Sequence, residues 1–327
     1  MTQRSTIEPT TPRSRSRGRW SAAALAVAAL LTVAACSTSG ATSAPSAAAS
    51  AAPSAAASVA PSVAPSAAAP SASSATTTVQ DLAVTGKEYA FEVPASIPAG
   101  VTKITLTNAG KEEHQAQIAK LADGKTLQDL TTALAADEAS ALALLTLAGG
   151  PNGVQPGASN SATSNLAPGN YVFLCFVQTA DGTPHLAKGM IAPLTVTEPA
   201  VTADVPAGDA AVHVKDFSFV GLDTLSAGKH TVSVTNDGPQ PHEATIVKLA
   251  DGVKATDLLA MFTSTAAPSG PPPFTTAGGV TAVAVGTTVS MDVDLPAGNY
   301  AFICFVPDQK TGATHAALGM IGALTVK

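Results

Sequence analysis

An internal repeat limits what this chain can fold into more than any other feature. The segment Ile118–Gly124 reads IAKLADG and returns at 246–252 as IVKLADG. The segment PGNYVFLC at 168–175 returns at 296–304 as PAGNYAFIC. Both copies close with a Gly-Met strand pattern that ends in Leu-Thr-Val. A repeat period this long indicates two tandem domains rather than a solenoid.

We therefore place two domains at 79–198 and 203–327, each of ordinary domain size. Short runs that alternate apolar and polar residues, such as Val101–Thr107 and His230–Thr235, are typical of half-buried strands. Turn residues separate these runs along both copies. This pattern predicts an all-β fold made of two tandem Greek-key β-sandwiches.

One helix is expected to interrupt each copy. The first spans Thr126 to about Leu147, and the second spans Ala255 to Phe262. Thr126 and Thr256 are the residues expected to cap these helices. The Ala-rich first helix either offers a docking surface or covers a sheet edge, and the sequence favours the second interpretation.

The first 35 residues have the pattern of an export signal. Four arginines between Arg13 and Arg19 precede the apolar stretch Trp20–Ala35. That stretch leads into Val33-Ala-Ala-Cys36, which resembles the lipobox of bacterial lipoproteins, in which the cysteine is acylated. We predict a signal peptide over 1–35 and lipidation at Cys36. A plain secretory signal and an uncleaved anchor helix are the alternatives.

Residues 36–78 are almost wholly Ala, Ser, Pro and Thr. Such a segment has little apolar surface to bury and cannot offset the entropy of ordering. It is predicted to be a disordered tether. Together with the lipid, it would hold the two domains at the extracytoplasmic face of the cell membrane.

The charge distribution argues against nucleic acid as a partner. The whole chain has a formal net charge of −6, and all five of its arginines precede residue 36. Export would therefore leave an acidic chain in which lysine is the one strongly basic residue type. Lysine lacks the planar fork with which arginine grips phosphate or carboxylate. Nucleic acid is not an expected partner, and the oligomeric state is left open.

The repeat also sorts the residues that carry chemistry. Two histidines, one cysteine and one methionine are retained in each copy, at the paired positions His114 and His242, Cys175 and Cys304, His185 and His315, and Met190 and Met320. His213 and His230 have no counterpart and are predicted to lie on the surface. A disulfide between Cys175 and Cys304 is the alternative that export would favour. Equivalent core positions of two separate domains would rarely lie within bridging distance.

The order His, Cys, His, Met in each copy resembles that of the cupredoxins, the blue-copper proteins. The resemblance covers essentially all of residues 79–327 and includes the expected β-sandwich. It implies one copper per domain, two per chain, held by His114, Cys175, His185 and Met190 in the first copy and by His242, Cys304, His315 and Met320 in the second. A thiolate and two imidazoles form a trigonal soft site, and a weak thioether contact tunes its potential. The loop from cysteine to histidine has nine residues in the first copy and ten in the second, which is longer than in most members.

The resemblance implies one-electron transfer between extracytoplasmic redox partners. Buffering or delivery of Cu(I), and a metal-free binding or scaffold module, are the alternatives. An enzyme is not expected. The trinuclear centre of multicopper oxidases needs many paired histidines, and only His213 and His230 remain after the ligands are subtracted. The sequence also lacks a Ser-His-Asp spacing and a glycine-rich phosphate cradle.

Overall fold

The computed structural model describes residues 78–198, 203–265 and 270–327. The predicted signal peptide, the lipidation site Cys36 and the predicted tether up to residue 77 lie outside the described residues. The described residues all fall within one compact unit. We call 78–198 the first copy and 203–327 the second copy.

The first copy contains nine strands, two short α-helices and one 3-10 turn at His185–Lys188. The strands are β1 Gln80–Lys87, β2 Ala90–Glu92, β3 Ser96–Pro98, β4 Gly100–Asn108, β5 Gln117–Leu121, β6 Leu145–Leu147, β7 Ser159–Leu166, β8 Gly169–Leu174 and β9 Ile191–Thr197. The helices are α1 Leu127–Ala136 and α2 Glu138–Leu142.

The described part of the second copy contains eight strands, one α-helix and one 3-10 turn at Leu222–Thr224. The strands are β10 Ala210–Lys215, β11 Ser218–Val220, β12 Gly228–Asn236, β13 His242–Leu249, β14 Phe274–Val283, β15 Thr288–Leu295, β16 Gly298–Ile303 and β17 Ile321–Val326. The helix is α3 Ala255–Thr263.

The described strands form three sheets, and one sheet runs through both copies. The eight-stranded sheet has the order β11-β10-β12-β15-β7-β4-β1-β2, in which β15 pairs antiparallel with β7. A four-stranded sheet, β14-β13-β16-β17, faces it in the second copy. A five-stranded sheet, β3-β9-β8-β5-β6, faces it in the first copy. The all-β prediction of two sandwiches is confirmed.

Each sandwich has a core of its own, because alternate residues of the strands point inward. In the first copy Ile104, Phe173 and Cys175 belong to one buried cluster. In the second copy Ile246 and Cys304 belong to another. Both cysteines are free, so the disulfide alternative does not hold.

The helix predictions need correction. In the first copy the helical pattern breaks after Ala136, and Leu145–Leu147 is an edge strand rather than the last turn of the helix. Thr126 caps α1 as predicted, since its side chain accepts from the backbone N–H of Asp129. In the second copy the N-cap is Lys254, so the prediction of Thr256 was wrong.

Helix α1 covers the face of the five-stranded sheet, and the cluster that it joins also contains Leu145 and Leu147 of the edge strand β6. Leu130 is fully buried against Ala119 of β5 and Val172 of β8. Neither β5 nor β8 is an edge strand. Among the described helices, none has the length and apolar character needed to cross a membrane.

Candidate metal centres

The first site joins three side chains that lie far apart in the sequence. His114 stands just before β5, Cys175 just after β8, and His185 opens the 3-10 turn before β9. The Nδ1 atoms of the two histidines are 3.1 Å apart. Cys175 Sγ lies 3.5 Å from Nδ1 of His185 and 4.0 Å from Nδ1 of His114. All three side chains are fully buried.

The second site repeats this geometry in the second copy. The Nδ1 atoms of His242 and His315 are 3.0 Å apart. Cys304 Sγ lies 3.3 Å from Nδ1 of His315 and 3.8 Å from Nδ1 of His242. These residues are also fully buried. Both groups have the composition and spacing to hold a metal ion, so the structure brings six of the eight predicted ligands together as two triads.

Backbone hydrogen bonds fix the cysteine and the second histidine relative to each other. In the first copy the N–H of His185 donates to Val177 O at 2.8 Å, and the N–H of Leu186 donates to Cys175 O at 2.8 Å. In the second copy His315 donates to Val306 O and Ala316 to Cys304 O at 2.9 and 2.8 Å. These hydrogen bonds therefore join the two ends of each loop, and the extra residues lie between them. The length of the loop does not displace the histidine.

The two methionines predicted as ligands are held beside the triads by the backbone. The N–H of Met190 donates to His185 O at 3.0 Å, and the N–H of Met320 donates to His315 O at 2.8 Å. Both side chains are fully buried. A Cβ placed on Gly86 would lie 3.5 Å from both the methyl carbon of Met190 and the His114 ring. The end of the Met190 side chain and the His114 ring therefore both border the space beside Gly86.

Burial sets the charge of these groups. Burial lowers the pKa of His114, His185 and His242, and lowers that of His315 to about 4. The imidazoles are therefore neutral near pH 7, which is the form that binds metals. Burial also raises the pKa of the Cys175 thiol to about 11 and raises that of Cys304 further. The thiols are protonated in the metal-free protein, and metal binding would release those protons.

The orientation of the rings shows that the donor set fits a cation. In the second site Nε2 of His242 lies 2.8 Å from Oδ1 of Asp216. A carboxylate accepts hydrogen bonds, so Nε2 carries the proton and Nδ1 presents a lone pair to the other ligands. Nδ1 of His315 lies 3.0 Å from this lone pair, a separation at which the two nitrogens repel each other unless a proton or a cation lies between them. With a buried sulfur beside them, they form a soft N₂S set that suits copper.

The outer nitrogens of the first site have weaker partners. Nε2 of His114 lies 3.6 Å from Oε1 of Glu88, and Nε2 of His185 lies 3.0 Å from Oε2 of Glu112. Neither contact has hydrogen-bond geometry, and neither nitrogen has another partner among the described residues. Oε1 of Glu88 instead accepts from the backbone N–H groups of Lys111 and Glu112. The Tyr89 ring packs edge-on against His185, 4.9 Å between centroids.

The second site has a more complete set of outer contacts on one side. Besides binding His242, Asp216 accepts from Nε2 of Gln240 through Oδ2 at 2.9 Å. The same amide nitrogen donates to Oδ1 of Asp308 at 2.8 Å. Asp308 lies in the loop between Cys304 and His315, so Gln240 ties that loop to the partner of His242. On the other side, Nε2 of His315 has no partner among the described residues.

Sequence reasoning missed these outer residues. The repeat held a signal for the first pair, because Lys87-Glu88-Tyr89 aligns with Lys215-Asp216-Phe217. An acidic residue followed by an aromatic residue is retained, and Phe217 packs against His315 as Tyr89 packs against His185. No such signal marked Gln240, because the first copy has Glu112 at that position.

The two unmatched histidines lie outside both triads. His213 is half exposed and lies 2.7 Å from Asp237. His230 is less exposed than predicted, with 13% of its side chain accessible, and bonds to Asp209 at 2.8 Å. Neither belongs to a metal-binding group among the described residues.

Similar structures include two copper nitrite reductases and an auracyanin. A copper nitrite reductase from Thermus scotoductus SA-01 is 13% identical, with a TM-score of 0.21, over 76% of this chain and 61% of its own length. Auracyanin from Roseiflexus castenholzii is 23% identical, with a TM-score of 0.24, over 37% of this chain and 98% of its own. Copper nitrite reductase from Nitrosomonas europaea is 14% identical, with a TM-score of 0.22, over 76% of this chain and 94% of its own. No family model and no curated sequence matches the chain.

The class of the protein follows from its own sheets and donor groups. Each copy is a β-sandwich that brings a buried histidine, cysteine and second histidine together beside a buried methionine. These features define cupredoxin-like domains with two candidate copper sites, one per copy. The chain thus has a cupredoxin-like fold, in agreement with the resemblance noted in its sequence.

Proposed function

We propose that this protein carries single electrons through two type 1 copper sites, one in each cupredoxin-like domain. The observation that carries the proposal is the convergence of two Nδ1 atoms and one Sγ in each copy, all buried and all within 4.8 Å of one another. Copper bound to such a set takes up or gives up one electron by changing between Cu(I) and Cu(II).

The protein's own contribution is to hold the donors in place. The histidine after each cysteine is anchored by its own backbone N–H, and the methionine is anchored on that histidine. A rigid donor set changes little between redox states, which keeps the reorganisation cost of electron transfer low. The buried ligands also exclude water from the sulfur.

Titration of the purified protein with Cu(II) tests the proposal. We expect two equivalents to bind, with strong visible absorbance from thiolate-to-copper charge transfer and reversible reduction at an electrode. Binding of Cu(I) without a stable Cu(II) form would contradict electron transfer and indicate Cu(I) buffering or delivery instead. Absence of binding in either state would contradict both and leave a metal-free scaffold.

We also propose that the protein acts as a carrier rather than as an enzyme. After the eight proposed ligands are subtracted, His213 and His230 remain, and both bind aspartates rather than each other. Its partners would be other extracytoplasmic redox proteins. Nitrite or oxygen consumption by the copper-loaded protein, measured with an excess of reductant, would contradict a carrier role.

We further propose that Cys36 is acylated and tethers the domains to the outer face of the cell membrane. The support is the sequence Val33-Ala-Ala-Cys36 and the Ala/Ser/Pro-rich segment that follows it. Mass spectrometry of the protein extracted from membranes should find a lipid-modified Cys36 at the new N-terminus. An unmodified N-terminus at another position would indicate a plain secretory signal.

A further inference from the structure

The second site includes a contribution from the first copy. Asn152 follows β6 in the first copy and is almost fully buried. Its Nδ2 donates to Oγ1 of Thr245 at 2.8 Å and to Oε2 of Glu243 at 3.4 Å, both in the second copy. Glu243 is the residue immediately after the ligand His242 and is 7% exposed.

Glu243 links the two segments that carry the ligands of the second site. Its backbone N–H donates to Sγ of Cys304 at 3.4 Å. Its Oε1 accepts from the backbone N–H of Phe305, the residue after that cysteine, at 2.8 Å. A buried carboxyl group must have its acceptors satisfied, so its position depends on its donors. Asn152 is the donor that comes from the other copy.

An irregularity in one ladder produces this arrangement. The pairing of β13 with β14 shifts in register between His242 and Ala244, which leaves Glu243 outside the ladder. Bulges of this kind redirect side chains and free backbone groups. The N–H of Thr281 in β14 donates to Gly150 O of the first copy at 2.9 Å. Ala282 O accepts from the N–H of Gly149 at 3.1 Å.

The interface leaves little room for Asn152 to move. The N–H of Asn152 donates to Gly279 O at 3.1 Å, so the residue is held by its backbone as well as by its side chain. A Cβ on Gly150 would lie 2.0 Å from Ala116 O, so a larger residue there would force the segment away. The first copy thus places the amide of Asn152 at a fixed point beside the second site.

We infer that Asn152 is a positioning residue for the second copper site: it holds Glu243, which orders the Cys304 and His242 segments. This inference rests on the proposed function, because it concerns the properties of a copper site. It means that the second site depends on the first copy, although all of its ligands lie in the second copy.

The test uses Asn152→Ala in a Cys175→Ser background, where only the second site contributes a thiolate band. Loss of outer contacts to metal ligands weakens metal affinity by about 10- to 100-fold. We expect about a 10-fold weaker copper affinity at the second site, with a shift in its charge-transfer band. The same substitution in a Cys304→Ser background should leave the affinity and band of the first site unchanged.

Gln117→Leu provides the matched control. Gln117 is also buried, and its Nε2 crosses the same interface to Ala282 O at 2.9 Å. It does not contact Glu243, so this variant loosens the interface without removing the contact of interest. An equal loss at the second site in Gln117→Leu would overturn the inference and indicate a general effect of the interface.

A double-mutant cycle with Glu243→Ala, which removes both acceptor oxygens, tests whether Asn152 acts through Glu243. If it does, Asn152→Ala causes no further loss of affinity once Glu243 is replaced, because residues that act as a unit are not additive. Additive losses would overturn the inference. Should Asn152→Ala fail to fold, Asn152→Ser removes the same contact with a smaller change in packing. If the unsubstituted protein binds no copper, the proposed function is wrong. If it binds copper and Asn152→Ala leaves the affinity and band of the second site unchanged, this inference alone is wrong.

Discussion

The two metal centres have nearly the same donors but different surroundings. In the first, the partly exposed side chain of Glu112 lies 3.0 Å from Nε2 of His185. In the second, the equivalent residue Gln240 turns the other way and binds Asp216 and Asp308. The reason is chemical, since an amide donates hydrogen bonds to two carboxylates and a carboxylate cannot.

The comparison shows that the outer residues of the two sites support different histidines. In the first site the carboxylate of Glu112 lies 3.0 Å from His185, whereas that of Glu88 lies 3.6 Å from His114. The second site supports His242 strongly and gives His315 an apolar neighbour, Phe217. Ligand identity therefore does not make the two sites equivalent. The following predictions test the difference, beginning with the largest effect.

Removing a ligand should abolish one site and leave the other. Cys304→Ser removes the thiolate from the second site, whereas Cys175 lies in a separate core. We expect copper content to fall from two to one per chain, with the remaining band that of the first site. Loss of both bands in either single cysteine variant would mean that one copper is shared between the copies.

Removing the carboxylate behind the first histidine should affect the two sites unequally. Asp216→Asn weakens the bond that orients His242, and we expect copper affinity at the second site to fall about 10- to 100-fold. We also expect the reduction potential there to rise, because the imidazole becomes less basic. Titration and voltammetry of single-site backgrounds measure both.

Glu88→Gln is the matched change in the first site. Oε1 of Glu88 lies 3.6 Å from Nε2 of His114 without hydrogen-bond geometry. The copper affinity of the first site should therefore change by less than about 3-fold in this variant. Equal losses in the two variants would show that the distances do not describe the difference between the sites.

Exchanging the outer residue should destabilise one copy only. Gln240→Glu places a carboxylate between Asp216 and Asp308 and removes both donated hydrogen bonds, which costs about 1–3 kcal/mol of unfolding free energy. The reverse change, Glu112→Gln, alters a partly exposed side chain and should stay within about 0.5 kcal/mol. Denaturant unfolding of the metal-free variants measures both, and similar costs would contradict the asymmetry.

The smallest effect on stability is expected from a substitution at Gly86, beside Met190. Gly86 in β1 has Val214 as its counterpart in the second copy. A Cβ at Gly86 would meet Leu106 at 3.3 Å and Met190 at 3.5 Å, so Gly86→Ala should change stability by less than about 1 kcal/mol. A small shift of the first site's band should accompany it, and an unchanged band would place Met190 away from the metal.

Much of the fold could be predicted from the sequence because the same strand patterns and the same candidate ligands occur in both copies. Alternating patterns placed β4 and β12, and the triads followed from positions retained in both copies. The end of α1 was missed because Leu145–Leu147 has no polarity signal that separates helix from strand. Asn152 could not have been found, because its importance depends on an interface between copies that no local pattern encodes.

The geometry of the two triads predicts that each of them binds one copper ion. An anomalous difference map, recorded at the copper absorption edge from crystals of the copper-loaded protein, would locate each bound ion. The account predicts two peaks per chain, one among His114, Cys175 and His185 and one among His242, Cys304 and His315. A map with no peak at either triad, or with a single peak between the copies, would contradict it.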